Sequence, residues 1–454
     1  MDYKNALEYL GKIDEYRGMN LSLANPTGII RHFSFQLNHI HFIQVAGTNG
    51  KGSTAHFLAS ILQASGYKVG LFTSPHLHDI RERIKVNNQE ISETDFAACI
   101  CEIKKLSEYL LQKGIIKETP TYFEYTFLVS LYYFYQEKVD VVILEAGLGG
   151  RLDATSVITP ILSVITGISH DHTAILGQHI KDIALEKAGI IKKNVPIVCG
   201  CNVHSIAHAI IKKKASELNA PFYNAIDSHN RLAVTELDLG YRCHYIVENI
   251  VEKIARKNAG SCHYSFDVHM NGRHQTQNAA AAVKTIQILE TMGIAITSKA
   301  IQEGIKNTHV PARIEIIETQ MQTSSNVKPG KMTVILDVSH NVESIKRLSD
   351  FLKQKKKQRL TLIFGVLADK NYRQMAKILL PFVEKVIITE PISQRALPAE
   401  KLASLFHKWG LNNVLVHRDI KKALEAAQKW QADILVTGSF YLVGGLRHMI
   451  INGG

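Results

Sequence analysis

A glycine-rich segment between an apolar strand pattern and a helical pattern constrains this chain more than any other feature. Residues Val45–Thr54 read VAGTNGKGST; they follow a predicted strand, His41–Val45, and open a predicted helix from about Ser53 to Ala64. The glycines allow several backbone N–H groups to point at one anion, and Lys51 adds a positive charge where a helix N-terminus already favours negative charge. The segment therefore predicts a phosphate-binding loop, with a nucleoside triphosphate as its ligand.

The match to the general phosphate-loop pattern G-x-x-x-x-G-K-[ST] is imperfect. Val45 stands where the first glycine is expected, and Gly52 separates Lys51 from the hydroxyl of Ser53. A plain Gly/Asn turn ahead of a helix is the alternative, but strand, glycines, lysine, hydroxyl and helix occur in the expected order. The departure argues against the commonest GTPases and motor ATPases.

The length and composition indicate a two-domain globular protein. A chain of 454 residues is too long for one ordinary core, and 46% of its residues are hydrophobic and 21% charged. No apolar run reaches the roughly 20 residues that a membrane helix needs. The N-terminal residues Met1–Asn5 lack an apolar signal core. We therefore expect a cytoplasmic protein that has no membrane partner.

The net charge of +12 raises the possibility of a nucleic-acid partner. The lysines are scattered, however, and the densest basic cluster, Lys353–Arg359, falls at a predicted helix end and is typical of a solvated surface. A positive field also suits ATP and a polyanionic acid substrate. Since no platform of aromatic and basic residues for single strands is visible, we expect no nucleic-acid partner.

The six cysteines predict neither a disulfide framework nor a zinc site. Cys99 with Cys101, and Cys199 with Cys201, form C-x-C pairs rather than the C-x-x-C spacing usual for zinc. A chain of this size does not depend on disulfides for its core. We interpret all six as ordinary thiols.

Apolar runs alternate with helical patterns through the first two thirds of the chain, which predicts a mostly parallel sheet. The runs are rich in Val and Ile without strict alternation, as expected for strands covered on both faces. The intervening helical patterns include Glu93–Lys113 and Tyr125–Gln136, and a helix is predicted from Asn278 to about Leu289. A polar stretch around Tyr241–His269 predicts a small antiparallel excursion. The strands predicted here are His41–Val45, Lys68–Thr73, Val139–Leu144, Ile161–Thr166 and Val195–Cys199.

A domain boundary is predicted near Thr308–Pro311, which divides the chain into residues 1–308 and 309–454. The polar insert Gln320–Lys331 that follows has the composition of a turn or a hairpin tip. The remainder repeats the alternation and predicts a smaller, Rossmann-like domain. The overall expectation is an α/β protein in which the first domain resembles a phosphate-loop ATPase. Strands are predicted at Thr333–Asp337, Leu360–Phe364, Val386–Thr389, Asn413–Val416 and Ile434–Thr437.

Two acidic positions follow the predicted strand Val139–Leu144. Glu145 ends that strand, and an acid delivered beside a phosphate loop is the usual arrangement for holding the magnesium of a nucleotide. The glycine-rich run Ala146–Ala154 allows the chain to pass close to a ligand and presents Arg151 and Asp153 there. A surface acid or helix cap at position 145 and a strained turn in the run are the structural alternatives.

Three further segments carry candidate functional groups. His170 and His172 follow a strand, but they offer too few local ligands for zinc. We interpret His170 as an ordinary loop histidine, and His172 as the better candidate for a magnesium-side ligand. Lys187 lies at a helix end, where a cation also satisfies the helix dipole. The aromatic faces of Thr121–Glu124 could stack on a flat heterocycle or serve only as a core anchor.

These segments together resemble the folylpolyglutamate synthase and dihydrofolate synthase family of the Mur ligase superfamily. The resemblance covers nearly the whole chain, in order, and joint occurrence of the motifs is far more specific than any one of them. It is carried by Val45–Thr54, Ser74–Leu77, Thr121–Glu124, Glu145–Ala154, Asp171–Thr173 and Glu186–Ile190, and in the last third by Asp337–Asn341, Gly365–Lys370 and Thr437–Phe440.

The resemblance implies an ATP-dependent amide ligase. ATP would phosphorylate a substrate carboxylate, and the amino group of L-glutamate would attack the resulting acyl phosphate. The acceptor would be dihydropteroate or a reduced folate, and activity could be dihydrofolate synthesis, polyglutamate extension or both. ATP and magnesium at two sites are the implied cofactors, and we expect a monomer.

The resemblance also implies roles for individual residues. Magnesium would be bound by Ser53, Ser74 and Glu145, with His172 at a second site and Lys187 as a carbamylated lysine. The implied catalytic residues are Lys51, Glu145, His172 and Lys187. The implied nucleotide contacts are Asn49, Gly50, Lys51, Gly52, Ser53, Thr54, Asn278, Arg313, Asp337 and His340. The implied substrate contacts are Thr121, Tyr122, Phe123, Leu152, Asp153 and Ala154.

Three departures from the family pattern leave the acceptor open. Met19–Pro26 replaces the usual Gly-Leu-Glu-Arg-like segment near the pterin site, Ala312 replaces glycine in Pro-Gly-Arg, and Ile168–His170 is unusual. The alternatives are a ligase of the same superfamily that joins a non-folate acid to an amino acid, a nucleic-acid-binding ATPase, and an inactive paralogue. The intact phosphate and metal positions argue against the last of these.

Overall fold

The computed structural model describes residues 1–13, 22–200, 204–248, 261–320 and 331–452. The chain divides into two compact units. The first unit comprises Met1–Pro75, Ile80–His269 and Gln275–Thr308, and the second comprises His76–Asp79, Met270–His274 and His309–Gly454. The second unit is therefore assembled from three separate stretches of sequence.

The first unit combines helices with two sheets. Its helices within the described ranges are α1 Tyr3–Gly11, α2 Ala24–Arg31, α3 Lys51–Ala64, α4 Glu93–Gln112, α5 Tyr122–Gln136, α6 Thr173–Leu176, α7 Ile180–Ala188, α8 Ser205–Glu217, α9 His274–Thr291 (whose first residue falls in the second unit) and α10 Ser298–Asn307. Its strands there are β1 His41–Ala46, β2 Val69–Phe72, β3 Ile84–Val86, β4 Gln89–Glu90, β5 Val141–Glu145, β6 Leu162–Ile165, β7 Ile197–Cys199, β8 Phe222–Asn224, β9 Arg231–Glu236, β10 Tyr241–Glu248 and β11 Ser261–Val268.

The large sheet of the first unit places strand β1 near its centre. Its order among the described strands is β4-β3-β2-β5-β1-β6-β7-β8, in which only the β2–β3 and β3–β4 pairs are antiparallel. Strands β2, β5 and β6 are buried along their whole length, as is β1 after its first residue. Their Val- and Ile-rich sequences fit this burial, because helices cover both faces of a parallel sheet.

Helix α3 begins directly after β1 and packs deeply into the unit. Phe57, Leu58 and Ile61 of this helix are fully buried. Gly304 of α10 lies so close to Ile61 that a Cβ there would be 2.5 Å from the Ile61 Cα atom. The close approach of α10 fixes α3, and with it the segment that joins α3 to β1.

The antiparallel excursion predicted around Tyr241–His269 is confirmed. Strands β11, β10 and β9 form a separate sheet in that order, with β10 paired to both neighbours. Alternate residues of β10 are buried, from Tyr241 to Val247. This period of two is typical of a sheet that faces the core on one side only.

The second unit is a smaller α/β layer structure. Its sheet has the order β12-β13-β17-β14-β15-β16 among the described strands, and all pairs are parallel except β12–β13. Apolar clusters cover both faces of this sheet. The strands are β12 Glu315–Gln320, β13 Lys331–Asp337, β14 Leu360–Phe364, β15 Val383–Ile388, β16 Val414–Val416 and β17 Ile434–Thr437; the helices are α11 Val342–Gln354, α12 Tyr372–Leu379, α13 Ala399–Lys408, α14 Ile420–Lys429 and α15 Phe440–Asn452.

The predicted α/β class with a mostly parallel first sheet and a second sheet domain is confirmed. The short hairpin β3–β4 and the edge strand β12 were not predicted. Residues 321–330 of the predicted turn Gln320–Lys331, and Met19–Leu21 of the atypical segment, lie outside the described residues. Within the described ranges, no helix combines the length and apolar character required to cross a bilayer.

Candidate functional site

The carboxyl ends of four adjacent parallel strands carry most of the predicted site residues of the first unit. Strands β2, β5, β1 and β6 lie side by side, so the loops that follow them emerge at the same edge of the sheet. Ligands of open parallel sheets bind at this edge. It is built from Ser74 after β2, Glu145 at the end of β5, the segment Gly47–Lys51 after β1, and Thr166–His172 after β6.

The phosphate loop, Gly47–Lys51, takes backbone conformations that favour glycine. Gly47 has φ of +153° and Gly50 has φ of +87°, and Gly50 directly precedes the first residue of α3. A Cβ on Gly47 would collide with the Thr166 hydroxyl, and one on Gly50 would lie 2.5 Å from the Asn278 Oδ1 atom. The predicted nucleotide contact Asn278 therefore lies against the phosphate loop.

The segment after β6 supports the phosphate loop through hydrogen bonds. The Thr166 hydroxyl donates to the Asn49 carbonyl at 2.8 Å, and the Thr48 N–H donates to the Gly167 carbonyl at 2.6 Å. The Thr48 hydroxyl donates to the Ser169 carbonyl and accepts from the Ser169 N–H, each at 3.1 Å. The predicted contact Asn49 is thus fixed at its backbone, while its side-chain amide donates to the Ser169 hydroxyl at 3.3 Å.

Two lysines converge on this loop from different helices. Lys51, the first residue of α3, donates to the carbonyl oxygens of Gly47 and Thr48 at 3.2 and 3.4 Å. Lys187, near the end of α7, donates to the same Gly47 oxygen at 2.7 Å. The structure therefore brings together both predicted catalytic lysines, which lie 136 residues apart in the sequence.

The environment of Lys187 disfavours its charged form. Its side chain is buried, and burial lowers the pKa of the amine to about 7, helped by the positive charge of Lys51. Asp171 and Asp153 act in the opposite direction. An amine with such a pKa is largely neutral just above neutral pH and is then a nucleophile, which is the form that carbamylation requires.

The helix start beyond Lys51 carries the remaining predicted phosphate contacts. Gly52, Ser53 and Thr54 are buried in the first turn of α3. The buried Thr54 Oγ1 atom has no hydrogen-bond partner among the described residues. Buried hydroxyls are rarely left unpaired, so this atom is consistent with a site that hydrogen-bonds a ligand.

Glu145 and Ser74 meet at the ends of neighbouring strands. The Ser74 N–H donates to the Glu145 Oε2 atom at 3.2 Å, and Glu145 is 4% exposed. Register places Glu145 beside Val45, the residue two before the phosphate loop. The predicted acid therefore lies next to the predicted phosphate-binding segment.

The donors at this edge suit magnesium better than a metal that needs a dense ligand cluster. Nowhere in the described ranges do three or more His, Cys, Asp or Glu side chains gather as a metal-binding group. Magnesium prefers oxygen, keeps several waters and usually takes one or two carboxylates together with substrate phosphates. Glu145 and the hydroxyls of Ser53 and Ser74 fit that requirement, so these residues would hold the ion.

His172 has a left-handed backbone conformation, which is unusual for a residue other than glycine. It adopts φ of +48° ahead of the short helix α6, and its N–H donates to the Asp171 Oδ1 atom at 2.8 Å. Its Nε2 atom lies 4.0 Å from the same oxygen, while Asp171 is largely buried. His170 is exposed, which favours the loop interpretation given for it.

The predicted substrate segment Thr121–Phe123 begins helix α5. The Thr121 hydroxyl accepts from the Glu124 N–H, and the Glu124 carboxylate accepts from the Thr121 N–H, a reciprocal helix cap. The Arg83 guanidinium lies 5.4 Å from the centre of the Tyr122 ring. Phe123 lies against Gly147, where a Cβ would be 2.7 Å from the ring. The structure thus joins this segment to the glycine-rich run.

Within that run, Asp153 is occupied by its own loop. Its carboxylate accepts from the N–H groups of Leu148 and Thr155 and from the Thr155 hydroxyl, at 2.6 to 3.0 Å. Burial raises the pKa of Asp153, while these bonds act against that rise. Leu152 is partly exposed and Ala154 is buried, so Leu152 has the more accessible side chain of the two predicted neighbours. These bonds account for a buried Asp153 without a ligand.

The second unit groups its own predicted nucleotide contacts. The carboxylate of Asp337, at the end of β13, accepts from the N–H groups of Ile314 and Ser339, each at 3.0 Å. The Arg313 guanidinium lies 5.3 Å from the centre of the Phe440 ring, and the His340 ring lies 5.4 Å from the same ring. Arg313 and His340 therefore lie against one ring of α15, while Asp337 binds the backbone next to Arg313.

Sequence reasoning missed the side-chain hydrogen bonds that hold backbone groups at these sites. Thr166 and Ser169 support the phosphate loop, and Glu315 and Asp337 bind the turn around Arg313. Their signal was weak, because a hydroxyl or carboxylate that binds a backbone amide belongs to no short motif. Asp337 was singled out as a ligand contact, while its visible bonds are to the chain itself.

Comparison with known proteins shows which family this chain resembles. A model of the Mur ligase middle domain matches residues 45–286, and one of the Mur ligase glutamate ligase domain matches residues 312–440. The dihydrofolate synthase/folylpolyglutamate synthase of Bacillus subtilis (strain 168) is 33% identical over 427 residues, which is 92% of this chain and 94% of that protein.

Solved structures agree with the sequence matches. Mycobacterium tuberculosis folylpolyglutamate synthase, crystallised with ADP and AMPPCP, superposes with a TM-score of 0.84 at 25% identity and covers 99% of both chains. E. coli FolC in complex with DHPP and ADP gives a TM-score of 0.81 at 28% identity, covering 100% of this chain and 98% of that one. The chain therefore belongs to the folylpolyglutamate synthase and dihydrofolate synthase family of the Mur ligases.

Proposed function

We propose that this protein is an ATP-dependent ligase that joins L-glutamate to the carboxylate of dihydropteroate or a reduced folate. The observation that carries this proposal is the phosphate loop with Lys51, held beside Glu145 at the edge of the parallel sheet. The full-length similarity to dihydrofolate and folylpolyglutamate synthases supports the choice of substrates.

The reaction divides into two balanced steps. A carboxylate oxygen of the acceptor attacks the terminal phosphorus of ATP, the bond to ADP breaks, and an acyl phosphate forms. The glutamate amine then attacks the acyl carbon, phosphate leaves, and the amine loses a proton. Carboxylate oxygen is a poor leaving group and phosphate a good one, so the first step makes the second feasible.

The residues of the first unit serve mainly to position and neutralise charge. Magnesium supplies positive charge at the phosphates when bound, and Ser53, Ser74 and Glu145 are the residues that would hold it. Lys51 and the first-turn N–H groups of α3 stabilise negative charge on the phosphoryl group during its transfer. The proposed nucleotide contacts in the first unit are Asn49, Gly50, Gly52, Thr54 and Asn278. Those in the second unit are Arg313, Asp337 and His340.

Lys187 and His172 are assigned to a second metal site in this proposal. A carbamylated Lys187 changes from a cation into an oxygen donor, and its lowered pKa favours that reaction with carbon dioxide. The proposed binding residues for the acceptor substrate are Thr121, Tyr122, Phe123, Leu152, Asp153 and Ala154. Of these, Tyr122 and Phe123 provide aromatic faces that suit a flat pteridine ring.

An ADP-release screen with purified protein tests the proposal. Dihydropteroate, tetrahydrofolate and its polyglutamates are each supplied with L-glutamate and Mg-ATP, and products are identified by mass. ADP release that requires both an acceptor and glutamate is the expected result. The pattern of accepted substrates separates dihydrofolate synthesis, polyglutamate extension and both.

The same screen addresses a second candidate function. The atypical Leu21–Pro26 region favours a Mur-type ligase that joins a non-folate acid to an amino acid. If no pteridine supports ADP release while Mg-ATP binding is normal, this candidate is supported and the folate assignment is overturned. Failure to bind Mg-ATP at all would overturn both.

We infer a monomer that works in the cytoplasm without a nucleic-acid partner. Sedimentation at several protein concentrations checks the monomer, and expression of a tagged full chain checks the location. Steeply salt-dependent binding of DNA or RNA, with stimulated ATP hydrolysis, would contradict the last point.

A further inference from the structure

The turn that carries Arg313 in the second unit has an unusual backbone. Ala312 has φ of +56° and Ile314 has φ of +53°, so the residues on both sides of Arg313 take left-handed conformations. For a β-branched residue such as Ile314, this is a genuine outlier. Such conformations persist only where surrounding contacts impose them, and they concentrate at functional sites.

Two carboxylates bind the amide groups that flank Arg313. The Glu315 Oε2 atom accepts from the Ala312 N–H at 2.8 Å, and the Asp337 Oδ2 atom accepts from the Ile314 N–H at 3.0 Å. The carbonyl oxygens of the same two residues are bound as well. The Val338 N–H donates to Ala312 at 3.0 Å, and the Asn271 side chain donates to Ile314 at 2.9 Å.

An arginine from the last helix completes the arrangement. Arg447 of α15 donates from Nε to Glu315 Oε2 at 2.7 Å and from Nη2 to Oε1 at 2.9 Å, a two-pronged ion pair. The side chains of Glu315 and Arg447 are 11% and 25% exposed, so solvent screens this pair less than a surface ion pair. The same oxygen that binds Arg447 therefore holds the turn through Ala312.

Resting on the proposed role of Arg313 in nucleotide binding, we propose that Glu315 and Arg447 are positioning residues that fix the guanidinium of Arg313 for a nucleotide phosphate. Arg447 orients the Glu315 carboxylate, and Glu315 holds the strained Ala312 amide. The side chain of Arg313 then extends from the turn in one direction, with its guanidinium against the ring of Phe440. A guanidinium held in place loses less conformational entropy when it binds a phosphate.

The test compares four variants of the full chain: Glu315→Gln, Arg447→Met, Arg313→Ala and the double variant Glu315→Gln/Arg313→Ala. The dissociation constant for Mg-ATP is measured by calorimetry, and the melting temperature is measured without nucleotide. Glu315→Gln should weaken Mg-ATP binding about tenfold, because its amide group faces the donors of Arg447. Arg447→Met should weaken binding severalfold.

The double variant distinguishes positioning from simple stabilisation. If Glu315 acts through Arg313, Glu315→Gln/Arg313→Ala binds Mg-ATP no more weakly than Arg313→Ala alone. Additive losses in the double variant would overturn the proposal, as would unchanged affinity in Glu315→Gln. If Glu315→Gln fails to fold, Arg447→Lys, which retains the charge but not the two-pronged geometry, should give an intermediate affinity.

Asp433 provides a matched control in the same unit. Its carboxylate also joins a basic side chain to a backbone amide, accepting from Lys357 Nζ at 2.7 Å and from the Thr333 N–H at 3.1 Å. It lies just before β17, at the amino end of that parallel strand. Asp433→Asn should lower the melting temperature and leave the affinity for Mg-ATP unchanged. An equal loss of affinity in this control would mean that any broken ion pair has the same effect, and would overturn the proposal. Wild-type protein that binds no Mg-ATP would instead refute the proposed function.

Discussion

The side-chain nitrogens of Lys51 and Lys187 both donate to the carbonyl oxygen of Gly47, at 3.2 and 2.7 Å. Burial first, and the charge of Lys51 second, lower the pKa of Lys187 to about 7. The oxygen thus links the lysine at the start of α3 to the lysine at the end of α7. The charge state of Lys187 therefore affects the phosphate loop directly.

The stability of the protein should depend on Lys187 between about pH 7 and pH 10.5. In this window the unfolded chain keeps the proton that the folded chain has released, so the contribution of Lys187 to the free energy of unfolding rises with pH. The rise amounts to roughly 4 kcal/mol across this window, at about 1.4 kcal/mol per pH unit. Lys187→Met lacks this rise. Urea unfolding of both proteins at pH 7, 8.5 and 10 measures the difference.

The stability advantage of Lys187→Met over the wild type should therefore shrink as pH rises. The exposed Lys181, on the same helix, provides the control, and Lys181→Met should follow the wild-type profile. Parallel profiles for wild type and Lys187→Met would contradict a lowered pKa at this position.

Lys51→Ala should abolish acceptor- and glutamate-dependent ADP release while leaving the protein folded. Loss of a preorganised positive charge at a transferring phosphoryl group lowers turnover by about 100-fold or more. Circular dichroism and ADP release measured on the same preparation check both parts. Lys68→Ala, which breaks the 2.8 Å pair with Glu137 on the surface, is the control and should turn over normally. Near-normal turnover in Lys51→Ala would defeat the assignment of the phosphate loop.

Gly50→Ala should weaken nucleotide binding through a collision rather than through backbone strain alone. The new Cβ would lie 2.5 Å from the Asn278 Oδ1 atom, at φ of +87°. Gly66, just beyond the other end of α3, has φ of +92° and open space around it. Gly66→Ala should therefore show only the conformational penalty of about 1 kcal/mol. Melting temperatures and Mg-ATP affinities of the two variants separate the collision from the conformational penalty. Equal losses in both variants would show that the collision with Asn278 has no effect.

Glu145→Gln should lower turnover about 100-fold, with partial recovery at high magnesium concentration. The amide oxygen can still accept the Ser74 N–H, so the fold is preserved while the negative charge is lost. Titration of ADP release with magnesium checks this, with Glu137→Gln as the control, since Glu137 is a partly exposed acid that pairs with Lys68. A loss that magnesium does not change would indicate a structural role for Glu145.

The strands, and the functional groups at their carboxyl ends, were predictable because buried parallel strands appear in the sequence as short, nearly continuous apolar runs. Apolar runs such as Leu360–Phe364 match the observed β14 at both ends, and the end of the strand at Glu145 places its carboxylate at the predicted edge. Residues such as Thr166 and Glu315 were not predictable, because their partners are backbone groups 117 and 3 residues away that the sequence does not mark. Short elements such as β3–β4 carry too few residues for a periodic pattern.

The position of α3 shows the same limit at one helix boundary. The helix was predicted from about Ser53 and begins at Lys51, because Gly50 takes the left-handed conformation that precedes the first turn. A residue that can adopt either hand does not reveal which it takes until its neighbours are placed. The contact of Gly50 with Asn278, 228 residues away, is such a neighbour.

The three-part origin of the second unit limits how this protein can be divided in the laboratory. A fragment expressed from His309 onward would lack Asn271, whose side chain binds Ile314, and His78, whose ring stacks on that of His448 with a centroid separation of 3.7 Å. It would also leave a gap where Leu77 packs against Gly444. Segmental labelling, split-protein or domain-exchange work on this chain therefore has to carry residues 76–79 and 270–274 along with the carboxyl-terminal portion.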